Sequence, residues 1–149
     1  MMILSSGGLL AHHALMSKAL KAGAPLYLPS GAIAGLDGIK AGRIGKLRSV
    51  TLTTRKPPRA LAGSPGALKR RLNLKLLKKP VILFEGTARQ AVVAFPQNIN
   101  VAATLSLAGI GSSRTRVRII ADPAVRTNTH EVVAIGTFGK LVVDRKSVV

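Results

Sequence analysis

At 149 residues, with 47% hydrophobic residues and a mean hydropathy of +0.31, the chain is long enough for one domain with a core and too apolar for wholesale disorder. It has no cysteine. That excludes disulfides, thiolate metal sites and cysteine nucleophiles, and is compatible with a reducing cytoplasm, the expected location. The net charge of +18 reflects 23 Lys and Arg against five acids: Asp37, Glu85, Asp122, Glu131 and Asp144.

The chain starts with Met2-Ile3-Leu4, which reads as the edge of a strand, and the turn Ser5-Ser6-Gly7-Gly8. Residues 9–22 have helical apolar spacing and stop at Gly23, a natural C-terminal signal. Residues 25–29 fit a short strand. The small-residue turn Pro29-Ser30-Gly31-Ala32-Ile33 follows and leads toward a helix, a geometry that lets backbone approach a ligand. Residues 49–54 alternate β-branched positions and predict a strand. Residues 55–66 hold three prolines and two glycines and read as a loop, and 67–79 read as a short basic helix ended by Pro80. A buried-type strand is expected over 81–84. A helix over 86–94 has Thr87 as its cap, and a second, apolar helix over 101–110 has Asn100 near its N-terminus. Residues 115–121 alternate Arg with apolar residues, so one face should be buried and the other basic. Strands over 131–135 and 140–143 flank a hairpin turn at 136–139.

The charge is uneven. Residues 38–84 contain no acid and thirteen Lys or Arg. Such a stretch serves as a surface for nucleic acid or acidic membrane, or simply as a solvated basic face. Tyr27, Phe84, Phe95 and Phe138 are the only aromatics and none interleaves with the basic clusters, which argues against a base-stacking platform. The uncharged run 90–113 carries Pro96, Gln97, Asn98 and Asn100, so a buried helix is expected there rather than a membrane span. His12-His13 lacks a third ligand at metal-binding spacing, and no metal site is expected.

The chemistry concentrates in the second half. Asn100 opens an apolar run, and His130 follows a strand-like segment beside Asn128. An amide offers a donor and an acceptor, and an imidazole moves a proton near neutral pH. Taken alone, Asn100 is as readily an N-terminal helix cap as a binding amide, and a lone histidine in a β-rich region is more often structural than catalytic.

Several stretches resemble, in order and spacing, the aspartate dehydrogenase family. They are Pro29–Ile33 with Gly35-Leu36-Asp37, Val50–Pro58, Phe84–Arg89, Asn98–Gly109, Thr115–Pro123 and Asn128–Glu131, together covering about residues 26–139. The resemblance implies an α/β protein: an N-terminal Rossmann domain and a C-terminal mixed α+β substrate domain. It also implies NAD- or NADP-dependent oxidation of L-aspartate to iminoaspartate, which feeds NAD biosynthesis or hydrolyses to oxaloacetate and ammonia. It places the catalytic histidine on His130 and the cofactor contacts on Ala32 and Asn100, and it implies a homodimer or higher homo-oligomer. Aspartate carries two carboxylates, so cations are expected near His130, with Arg55, Arg118 and Arg126 as candidates.

Two departures from the family bear on organisation. No Gly-x-Gly-x-x-Gly follows a strand, and Lys146-Ser147-Val148-Val149 stands where the family continues with Asn-Pro-Lys-Thr-Ser. Residues 1–30 are therefore expected to be the tail of a dinucleotide-binding domain and 31–149 a C-terminally short substrate domain. The chain would then be a fragment with uncertain activity. Two alternatives remain: an inactive remnant serving only association, and a basic nucleic-acid-binding module.

Overall fold

The computed structural model describes residues 6–146, so the expected strand at Met2-Ile3-Leu4 and the last three residues lie outside it. Five strands form one mixed sheet in the order β2-β3-β1-β4-β5. They are β1 (Leu47–Lys56), β2 (Val81–Thr87), β3 (Arg116–Ala121), β4 (Thr129–Gly136) and β5 (Gly139–Lys146). β1 and β3 run parallel, and the other neighbours pair antiparallel. The parallel pair needs a long crossover, which the chain makes through α4 (Pro65–Lys69), β2, α5 (Ala88–Ala94) and α6 (Asn100–Ala108).

α4 and α5 pack against the sheet on one face, and α6 is buried in the same core. Strand alternation aims Val50, Leu52, Val117, Ile119, Val132 and Ala134 at that face, where they pack with Phe95, Ile99 and Leu105 in one buried cluster. The apolar run is a buried helix as expected: α6 buries six of its nine residues. Among the described residues no helix is long and apolar enough to cross a membrane. The opposite face, with Thr51, Thr53, Arg55, Arg116, Glu131, Val133, Val142 and Asp144, carries no helix among the described residues.

Several elements depart from the sequence expectation. The helix over 9–22 is two helices, α1 (Ser6–Ala11) and α2 (His13–Lys21), broken at His12, whose φ of −125° is not helical. Its stop is as expected: Gly23 adopts φ +62°. Residues 25–29 form no strand, only a lone bridge at Tyr27, because prolines at both ends withhold ladder donors. The basic helix over 67–79 is confined to five-residue α4. Arg71 then turns at φ +51°, and a 3₁₀ turn follows at Leu74–Leu76. Six cations among these thirteen residues, without an acid, leave a helix here unsupported by side-chain pairing.

β2 runs on through Thr87, and α5 starts only at Ala88. Thr87 is the cap: its hydroxyl accepts from the Gln90 amide while Gln90 Oε1 accepts from the Thr87 amide. A helix for which the sequence offered no bounds, α3 (Leu36–Ile44), packs a glycine edge onto β5 and the hairpin turn. A Cβ on Gly35 would come within 2.6 Å of Val143, and one on Gly42 within 2.7 Å of Phe138. In the hairpin, Gly136 pairs with Gly139, so Thr137 and Phe138 form the loop and Gly139 takes the left-handed φ of +98°.

Candidate active site

The helix-facing side of the sheet carries a polar row at one end of an otherwise apolar surface. On β1, Thr54 and Lys56 continue the inward register of Val50 and Leu52. Thr54 pairs with His130 on β4, and His130 pairs with Arg145 on β5. Thr54, His130 and Arg145 therefore lie side by side across three strands, with Lys56 two residues further along β1. This is the carboxyl end of the parallel pair β1 and β3, where ligands bind in many α/β sheets.

Hydrogen bonds bring three connecting segments onto this end. Thr54 Oγ1 lies 3.1 Å from His130 Nδ1. Lys56 Nζ donates to Asn98 Oδ1 at 2.8 Å, and Asn98 Nδ2 donates to Ser64 Oγ at 3.5 Å. Arg145 Nη1 donates to the Gly31 carbonyl at 3.2 Å, which ties the small-residue turn to the row. Thr54, Lys56 and His130 are all buried. Among the described residues His130 Nε2 finds no hydrogen-bond partner, yet it is not sealed from solvent. An imidazole anchored at Nδ1 with Nε2 open has the arrangement that proton transfer requires.

The sequence led to an imidazole titrating near neutrality. In the folded protein its pKa falls from 6.5 to about 4, first because burial disfavours the imidazolium, then because Lys56 and Arg145 repel it. Burial also pushes the Lys56 ammonium below its ordinary range. His130 is thus a neutral base at physiological pH.

That shift links folding to pH. Above about 6.5 the imidazole is neutral folded and unfolded, and the full stability is present. As pH falls toward 4 the unfolded chain binds a proton that the folded protein refuses, so stability declines. The decline is expected to reach roughly 2–3 kcal/mol between these limits. Urea unfolding of the parent and of His130→Gln at several pH values checks it. Equal slopes in the two proteins would refute a depressed imidazole.

The expected cations are not the ones the fold brings to His130. Arg55 and Arg118 point to the other sheet face, where they pair with Asp122 at 3.3 Å and with Glu85 at 2.7 Å. Arg126 lines a separate cleft of about 650 Å³ with Pro57, Arg59, Leu74 and Lys75. Lys56 and Arg145 were missed. Their one sequence signal is strand parity: Lys56 shares the inward parity of Val50 and Leu52. Ala32 is half-buried beside Gly31, whose φ is +58°. Asn100 is the first residue of α6 rather than its cap; its Oδ1 accepts from the Gly7 amide and its carbonyl from Ser6 Oγ. It makes no hydrogen bond to His130, and its Nδ2 remains uncommitted among the described residues.

A mixed sheet with helices packed on it, a buried imidazole at the strand ends and cations around it defines an α/β domain with a candidate proton-transfer site. Comparison with known proteins makes the assignment specific. The family described as "Aspartate dehydrogenase, C-terminal" matches residues 37–148. The chain is 51% identical over 142 residues to L-aspartate dehydrogenase of Methanosarcina mazei, covering 93% of this chain and 52% of that protein. It is 45% identical over 130 residues to L-aspartate dehydrogenase of Bradyrhizobium diazoefficiens, covering 87% of this chain and 46% of that protein. The crystal structure of aspartate dehydrogenase from Thermotoga maritima superposes with a TM-score of 0.78 at 31% identity, over 97% of this chain and 57% of that one. The chain belongs to the aspartate dehydrogenase family, through its C-terminal domain. It spans about half the length of the curated relatives it matches.

Proposed function

We propose that this chain is the substrate-domain half of an NAD- or NADP-dependent L-aspartate dehydrogenase. The observation that carries the reading is His130, buried, anchored at Nδ1 by Thr54 and open at Nε2, within a chain about half identical to enzymes of that name. In the reaction the α-ammonium gives up protons, hydride leaves Cα, and a C=N bond forms. Water then converts iminoaspartate to oxaloacetate and ammonia. NAD or NADP supplies the hydride acceptor when bound.

His130 takes the ammonium proton at Nε2, which requires Nδ1–H to donate to Thr54 Oγ1. The residues present suit the nicotinamide end of the cofactor. Asn100 Nδ2 is an uncommitted donor for a carboxamide, and at Ala32 a lone methyl leaves room for close approach. Residues 1–30 are assigned to the end of the dinucleotide-binding part and 31–149 to the substrate domain. The setting is the cytoplasm, with the product entering NAD biosynthesis. The test is L-aspartate-dependent appearance of NADH or NADPH. It is run on the chain alone and on the chain fused behind the N-terminal half of the Methanosarcina mazei relative, with D-aspartate as control. A folded fusion inactive with both cofactors would overturn the reading.

The uncovered sheet face is assigned to a second copy of the chain. It carries Val142, Ile135 and Ile82, which are 51%, 42% and 41% exposed, with Val133 opposite Val142. Large exposed side chains on an open sheet mark an association surface. Sedimentation should give a dimer, and Val142→Lys should shift it toward monomer; a parent that stays monomeric at high concentration sinks the assignment.

A further inference from the structure

Among the described residues, the five acids leave one buried cation without a counter-charge. Asp37 pairs with Lys40, Glu85 with Arg118 and Asp122 with Arg55. Glu131 and Asp144 oppose one another on β4 and β5, with side chains on the uncovered face, away from the helices. Lys56 is only 7% exposed on the helix side, and its single partner among the described residues is the neutral Oδ1 of Asn98. An ammonium has three donors, so two are unused. Proteins rarely bury a lysine without an anion, because desolvation then goes uncompensated. Arg145 faces the same space from β5, and among the described residues its one side-chain hydrogen bond goes to the neutral Gly31 carbonyl. Among the described residues, Lys56 and Arg145 are the charged groups that face His130; the turn at 29–33 and the segment 96–98 contribute none.

We propose that Lys56 and Arg145 are the carboxylate-binding residues of this site, one on each side of His130, and that Lys56 sets its specificity for a four-carbon dicarboxylate. The proposal rests on the dehydrogenase reading and names the residues that select the substrate. A monocarboxylate would leave one cation unneutralised, in the worst case the buried ammonium. A dicarboxylate neutralises both and also removes the repulsion that His130 feels. Substrate arrival would therefore raise the basicity of Nε2 when a proton must be taken, coupling recognition to proton transfer.

The probe is succinate, which has both carboxylates and no amine, with succinamate as its neutral-ended isostere. The His130 ring-proton resonance of the chain is followed against pH with each. Succinate is expected to raise the imidazole pKa from about 4 by a unit or more, and succinamate much less. Lys56→Met should weaken succinate binding roughly thirtyfold or more and abolish most of the shift. Arg145→Gln should also weaken binding. Lys56→Met should unfold at the same or a higher urea concentration than the parent, since an uncompensated buried charge has been removed; a lysine with a purely structural role would give a less stable variant. Absence of a succinate effect on the folded parent overturns the proposal, as does an unchanged effect in Lys56→Met. The fused enzyme separates the two claims. If it oxidises L-aspartate and Lys56→Met leaves KM unaltered, the carboxylate assignment falls and the dehydrogenase reading stands. If succinate binds through Lys56 but L-aspartate is never oxidised, the reverse holds.

Discussion

In the fused enzyme, His130→Ala is expected to fold and to lose on the order of a hundredfold to ten-thousandfold in the rate of L-aspartate-dependent NAD or NADP reduction. The loss should fall mainly on kcat, because the imidazole acts on a proton rather than holding the substrate in place. Its geometry argues for so large an effect. Thr54 fixes one ring nitrogen at 3.1 Å, and burial with two nearby cations keeps the ring neutral down to about pH 4, so the base form is present throughout the working range. Thr54→Val keeps the shape but removes the anchor, and should give a smaller loss with the same substrate affinity. Steady-state kinetics with folding verified by circular dichroism checks both. A His130→Ala enzyme that keeps its kcat would remove the imidazole from the chemistry.

Phe95→Ala is expected to destabilise the chain by about 3–5 kcal/mol. Phe95 follows α5 and is fully buried. Its ring meets Phe84 of β2 edge-on, with centroids 5.9 Å apart and planes at 69°, an arrangement that adds to simple burial. It also fills the space over Gly66, so removing it opens a void among β2, α4 and α5 that backbone cannot easily close. These elements carry the crossover from β1 to β3, and the next residues hold Asn98 against Lys56. The variant should therefore lose order near the site as well as stability. Urea unfolding at pH 7 measures the loss, and a change below about 1 kcal/mol would show that the site collapses around the missing ring.

Local physics was legible where it is strong. The Thr87 cap was visible because threonine is a favoured cap residue; the reciprocal bond of Gln90 to the Thr87 amide, which completes it, came only with the structure. The buried helix over α6 was visible because nine residues without charge can bury most of their surface. β3 was visible through its alternation of arginine with Val117, Ile119 and Ala121. His130, Asn100 and Ala32 were marked by family resemblance; periodicity alone left each with a bland reading. The misses have physical causes too. Residues 25–29 have strand composition, but a strand exists only where a neighbour pairs with it, and here prolines bound a single bridge. α3 carries glycines that weaken an isolated helix, and it persists because those glycines let it close onto Val143 and Phe138.

The sequence by itself determined the fold class, the Thr87 cap, the buried face of β3 and the scarcity of acids. Only the tertiary structure decided which cations surround His130. Thr54 and His130 are 76 residues apart, and Arg145 reaches the turn at Gly31 across 114. Cross-strand register and strand parity set these meetings, and both arise when distant segments pair; no local period encodes which distant residue will stand opposite. Arg55 and Lys56 are adjacent in sequence and fall on opposite faces of the sheet, because successive side chains of a strand point opposite ways.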